Sequence, residues 1–304
     1  MAFFSVRTRS YVSAVAILVF LFNCRLGSCC DSAACNCSSV CPVNCTRQGA
    51  WFIAASDNFH VCSLQNQAHA EQMARHCEEV RTTLTRTWRG ESKLWNPKCQ
   101  IVMHGSTQDY VRAVGPGSEA TLGSSLVKPA VGAVRTRRID LRTDVADYLT
   151  AALPHELCHV VLADHFREGP PPLWFDEGVA LQYDPPEKQR LHDRDLRVGL
   201  QHGTAFPLPE LLTLQGYPPQ DRWGVFYGQS ASLVRWLLTK GTAQQLLTCV
   251  DQAPRGAMSL ALRKDFGLQG WRDVHPAGVF PPNIRRDSAL QFVAVTESSA
   301  GAAE

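Results

Sequence analysis

Three observations predict an α+β fold with a small mixed sheet and a mainly helical C-terminal half. Short apolar, β-rich runs sit in the first half of the chain, apolar residues recur at helical spacing in longer stretches, and those stretches dominate the second half. Between a cysteine-rich start and a tail of small residues lie about 230 residues, enough for one sizeable core.

Taken in order, Arg7 and Arg9 precede an apolar run from Tyr11 to Phe22. This run has the length of a signal-peptide core and is shorter than the ~20 residues that span a bilayer. Residues 1–28 therefore read as an export signal, and the mature protein is expected to be secreted, periplasmic or held at the cell envelope. Leu26-Gly27-Ser28-Cys29 is similar to a bacterial lipobox, which would lipidate Cys29 and attach the protein to a membrane. Asn23-Cys24-Arg25 interrupts the preceding apolar run, and cleavage near Ser28 or Ala34 is the alternative. Seven of the 12 cysteines fall between Cys24 and Cys45, so 29–48 reads as a tether or a small disulfide knot. Cys35, Cys37, Cys41 and Cys45 lack the paired knuckles of a structural zinc site. Asn36-Cys37-Ser38 and Asn44-Cys45-Thr46 fit the glycosylation sequon, which matters only in a eukaryotic host.

Residues 49–275 are expected to form the folded domain. Strands are predicted at 51–55, 59–62 and 100–104, and a helix at 67–88, where Met73, Cys77, Val80, Leu84 and Trp88 share one stripe. Cys62, Cys77 and Cys99 are candidates for one disulfide, with a buried thiol the alternative for Cys77. Segment 137–142 places Ile139 and Leu141 on one face and charges on the other, the pattern of an edge strand protected by charge. The next helix is predicted to start at Thr143 or Asp144, with Pro154 marking a kink or restart.

That helix carries His155-Glu156-Leu157-Cys158-His159. Residues four apart on a helix lie about 5–6 Å from each other at Cβ, so His155 and His159 can hold one metal ion between them. Glu156 points about 100° away and is placed to act as general base on a metal-bound water. Catalytic zinc usually takes three protein ligands and keeps one position open. Glu177 is the candidate third ligand: Gly169-Pro170-Pro171-Pro172 allows a turn, and a second helix through Trp174-Phe175-Asp176-Glu177-Gly178-Val179-Ala180 can pack back on the first. Gly178 permits close helix approach, Trp174 supplies an apolar anchor, and Asp184-Pro185-Pro186 stops the helix. Asp144, Asp164 and Asp176 compete to hold the far nitrogens of the imidazoles. Cys158 reads as a small buried residue, and His192, His202 and His275 read as surface histidines.

This pairing resembles the gluzincin metallopeptidases over about residues 139 to 240, and most closely the peptidase MA-like group, in which Pro-x-Trp-x-x-Glu-Gly-x-Ala follows the HExxH helix. An aromatic helix similar to Phe226-Tyr227-Gly228-Gln229-Ser230 follows it there. The Gly-x-Met-Glu-Asn motif by which aminopeptidases grip a substrate amino terminus is missing upstream, and Gly256-Ala257-Met258-Ser259 lacks its glutamate, which favours an endopeptidase. The resemblance implies one Zn2+ held by His155, His159 and Glu177, hydrolysis of a peptide or protein substrate with Glu156 as base, and a Tyr or His from a later helix donating to the oxyanion. Tyr227 is the candidate donor, its alternative role a core tyrosine in a helix over 223–238. The resemblance also implies that substrate lies as an added strand along the sheet edge, where Arg135, Arg137 and Arg138 would favour acidic side chains.

Helical pieces are expected at 244–250 and 258–266, a packing anchor at Trp271, and loss of order over 276–304. With 30 Lys and Arg against 28 Asp and Glu, the net charge is +2 and no long basic block exists, so nucleic acid is not an expected partner. No phosphate loop, dinucleotide fingerprint or nucleophile elbow is present. The function outside the peptidase class is a noncatalytic zinc-binding envelope module that holds a protein partner; a base beside the zinc water is of no use to such a module. Oligomeric state is not legible in the sequence.

Overall fold

A computed structural model of the chain describes residues 42–130, 133–166, 169–254 and 256–275. The expected export signal, Cys29, the first sequon and the tail over 276–304 lie outside the described residues. The protein is α+β, with a six-stranded mixed sheet in the order β1-β2-β3-β4-β6-β5. Strands β1 (Asn44–Gln48), β2 (Trp51–Ala55) and β3 (Phe59–Ser63) form an antiparallel meander. Gly49, at φ +60°, makes the tight turn that pairs Gln48 with Trp51. The sheet thus begins at Asn44, inside the segment expected to be a tether.

Helix α1 (Gln67–Arg89) crosses over the sheet to β4 (Cys99–His104), which runs parallel to β3. The Asn66 side chain accepts from His69 N at 2.8 Å, capping α1. The stripe Met73, Cys77, Val80, Leu84 and Trp88 is buried against the sheet, as the helical spacing requires. The Glu78 carboxylate, on α1, accepts from Ser56 Oγ at 2.7 Å and Asn58 N at 2.7 Å, satisfying the turn between β2 and β3.

The cysteines Cys45, Cys62, Cys77, Cys99, Cys158 and Cys249 are all free, which overturns the expected disulfide. Strand alternation gives the reason for one pair: Cys62 lies beside Val102 in the ladder, so Cys99, three residues before Val102, faces the opposite side of the sheet. Cys77 and Cys99 are both core thiols whose ionisation burial strongly disfavours.

After α2 (Thr107–Val114), the chain enters β5 (Gly123–Ala130) and returns antiparallel as β6 (Ala133–Arg142), which pairs parallel with β4. Strand β6 is therefore interior and β5 is the edge, correcting the placement of the edge at 137–142. The charges read as edge protection are spent internally. Arg137 donates to Pro97 O at 2.7 Å and to Asp164, while Arg138 grips Asp140 with two bonds of 2.7 Å. Arg137 is buried and Arg138 is committed to Asp140, which argues against both as substrate contacts.

A 3-10 turn at Ala146–Tyr148 precedes α3 (Ala152–His165), so the metal-motif helix starts later than Thr143 or Asp144. Pro154 sits in its first turn, where a missing N–H is tolerated. The helical half follows as α4 (Leu173–Ala180), α5 (Pro186–Gln201), α6 (Leu208–Thr213), α7 (Trp223–Leu237), α8 (Ala243–Gln252), α9 (Met258–Phe266) and α10 (Trp271–Val274). Trp271 anchors the end of this half by donating to Phe206 O at 2.8 Å. Among the described residues no helix is long and apolar enough to cross a membrane.

Candidate metal centre

Helix α3 is buried along most of its length, sandwiched between β5, α1 and α4. Its first turns bring His155 and His159 side by side, with ring centroids 4.9 Å apart. Helix α4 carries Glu177 to the same point: Oε2 lies 3.9 Å from His155 Nε2, and Oε1 lies 3.9 Å from His159 Nε2. One ligand atom from each of the three residues falls within 4.8 Å of the others, so the group can hold a metal ion. Close packing of α4 on α7 depends on Gly178, where a Cβ would stand 2.5 Å from Ser230 O.

The donor chemistry fits a cation. Glu156, Asp176, Glu177 and Asp184 are all at most 2% exposed, and Lys188 lies 3.1 Å from Asp184. Buried charges are retained when paired or bound to metal, and a cation held by His155, His159 and Glu177 would meet that need for the Glu177 carboxylate. His155 Nε2 and Glu177 Oε2 are buried without a hydrogen-bond partner among the described residues, as expected of atoms that face an ion.

Each imidazole has a carboxylate behind it. His155 Nδ1 donates to Asp184 at 3.1 Å, which leaves the Nε2 lone pair for a metal. His159 Nδ1 lies 3.0 Å from Asp176. Asp176 is thus the outer partner that the sequence suggested. Asp164 instead pairs with Arg89 and Arg137, and Asp144 with Arg142 and Thr107. Asp184 was missed because Asp-Pro-Pro reads as a helix stop; it does both jobs. Burial acts to raise its pKa, yet Lys188 and His155 hold it well below the carboxylate range.

Glu156 turns toward the sheet edge. A Cβ at Gly123, the first residue of β5, would stand 2.8 Å from Glu156 Cγ and 3.3 Å from its Oε1. Tyr227 on α7 is buried, and burial, then Glu177 and Glu156, raise its pKa, keeping the phenol protonated. Its ring lies 5.8 Å from that of His192 and 6.5 Å from that of Tyr217. Cys158 is fully buried, burial raises its thiol pKa well above the usual value, and it is not among the residues whose ligand atoms converge.

Two further residues enter the site. Tyr217, in the loop between α6 and α7, donates its hydroxyl to Glu177 Oε1. Its Gly-Tyr-Pro-Pro context carries no periodic signal. His192 is buried, tilted on Tyr227 at 5.8 Å and 3.6 Å from Asp184 Oδ2, contrary to the surface position expected for it. His192, Leu196 and Gly199 form the buried face of α5 at spacing i, i+4, i+7, a signal the surrounding charges obscured. His275 is also buried, with Nε2 3.1 Å from Ser232 Oγ, whereas His202 is exposed as expected.

Compared with protein-family models and with curated proteins, the chain matches none.

Proposed function

We propose that this protein is a gluzincin-type zinc peptidase of the peptidase MA-like kind, acting outside the cytoplasm as an endopeptidase. The observation that carries the reading is the position of Glu156, whose carboxylate lies against the edge strand β5 while the helix bearing it presents His155 and His159 to Glu177. A base between a metal centre and an open strand edge is where a peptide bond docked on that edge would meet water.

Bound by two imidazoles and one carboxylate, zinc would supply Lewis acidity and lower the pKa of a bound water towards ~7. Glu156 accepts the proton of the attacking water and returns it to the leaving nitrogen. Tyr227, protonated by virtue of its burial, donates to the oxyanion. Asp184 fixes the tautomer of His155, and Asp176 lies beside Nδ1 of His159. The main chain of β5 pairs with an extended substrate.

Hydrolysis of an unbiased peptide library by the purified chain tests this, with a zinc chelator and Glu156→Gln as controls. Cleavage abolished by both, with metal content retained in the variant, is the expected result. No cleavage by folded, zinc-loaded protein would instead favour the noncatalytic envelope module.

A further inference from the structure

Each imidazole in the centre has an acidic partner behind it, and Glu177 has Tyr217. The ring of Tyr217 is packed against Trp223, Phe226 and Tyr227, with centroids 6.3, 6.1 and 6.5 Å away, and its loop is tied to α7 by Trp223 Nε1 donating to Pro218 O at 2.8 Å. From this rigid seat the hydroxyl reaches Glu177 Oε1, whereas Oε2, 3.9 Å from His155 Nε2, has no hydrogen-bond partner among the described residues. A carboxylate can ligate through one oxygen or both. With both engaged, it would take up coordination space that a catalytic centre keeps for water.

We propose that Tyr217 is a positioning residue that makes Glu177 a one-oxygen ligand: its hydroxyl holds Oε1, fixes the plane of the carboxylate, and leaves Oε2 to the metal with the remaining position open. This inference rests on the metal-centre reading above. Three ligands then have three outer partners, His155 with Asp184, His159 with Asp176, and Glu177 with Tyr217.

The test uses the full chain and Tyr217→Phe, which removes only the hydroxyl. Zinc affinity is measured by competition with a chromophoric chelator, and visible absorption is recorded after loading with Co2+. We expect the variant to bind zinc 10–100-fold more weakly, and its cobalt bands to weaken as Glu177 turns to chelate through both oxygens. In a Glu177→Ala background, Tyr217→Phe should have little further effect. Wild-type affinity together with an unchanged cobalt spectrum would overturn the proposal. If the metal-free variant fails to fold, zinc release from preloaded protein is measured, with faster release expected and an unchanged rate contrary to it. Wild-type protein that binds zinc but cleaves nothing removes the peptidase reading and leaves this one standing; wild-type protein that binds no metal removes both.

Discussion

The two ends of α3 carry ionic clusters built on opposite terms. Near its C-terminus, Asp164 faces the guanidinium groups of Arg89 and Arg137 and accepts from Trp95 Nε1 at 3.3 Å. Burial acts to raise the pKa of Asp164, but Arg137 and Arg89 hold it below the usual carboxylate range. Near its N-terminus, four buried carboxylates share the space with three histidines and with Lys188. The first cluster ties α1, β6 and α3 together. The second brings His155, His159 and Glu177 close enough together to hold a metal ion. Donor geometry thus separates the two clusters: guanidiniums closed on one carboxylate tie neighbouring elements together, whereas two imidazoles and a carboxylate converge where a metal ion could sit.

Breaking each end separately sharpens this contrast. Glu177→Ala removes a ligand and is expected to weaken zinc binding by well over the ~100-fold that loss of an outer partner costs, while metal-free unfolding stays near the wild-type value; a competition titration beside denaturant melts checks both. Arg137→Met should do the reverse. It is expected to cost about 3 kcal/mol, the low end for breaking a buried pair, because Asp164 is partly exposed and keeps Arg89. Zinc affinity of the folded variant should be unchanged, and urea melts with a zinc titration would show it.

Within the metal end, Gly123→Ala separates binding from catalysis. The added methyl would push Glu156 aside, and a displacement of about 1 Å can cost ~100-fold in rate. Zinc affinity should be retained, so turnover measured beside metal content distinguishes this from unfolding. The smallest effect concerns acid. Asp164 has its folded pKa lowered from 3.8, so the stability it contributes is fully present above that value and is lost as pH falls below it through the folded pKa. Urea midpoints of metal-free protein, taken downward from about pH 5, should fall less steeply in Asp164→Asn than in the wild type over that window.

Much of this was legible in the sequence, for identifiable reasons. The grouping of His155, His159 and Glu177 was readable because helical geometry converts a spacing of four into adjacency, and the following turn and helix bring Glu177 back to the pair. Strands β2, β3 and β4, helix α1 and helix α9 announced themselves by period. Strand β5 did not, since Gly123-Ser124-Ser125 lacks apolar alternation and Pro129 falls at a register shift. Its absence from the reading promoted β6 to the edge and misassigned Arg137 and Arg138. Asp184 and Tyr217 were hidden for another reason: each acts across the fold on a residue 29 or 40 positions away, and no local pattern encodes such a contact.

The most direct measurement is anomalous diffraction at the zinc edge from crystals of the zinc-loaded protein. The account predicts a single strong peak within about 2.0–2.2 Å of His155 Nε2, His159 Nε2 and Glu177 Oε2. No peak between α3 and α4, or one held by other side chains, would contradict it.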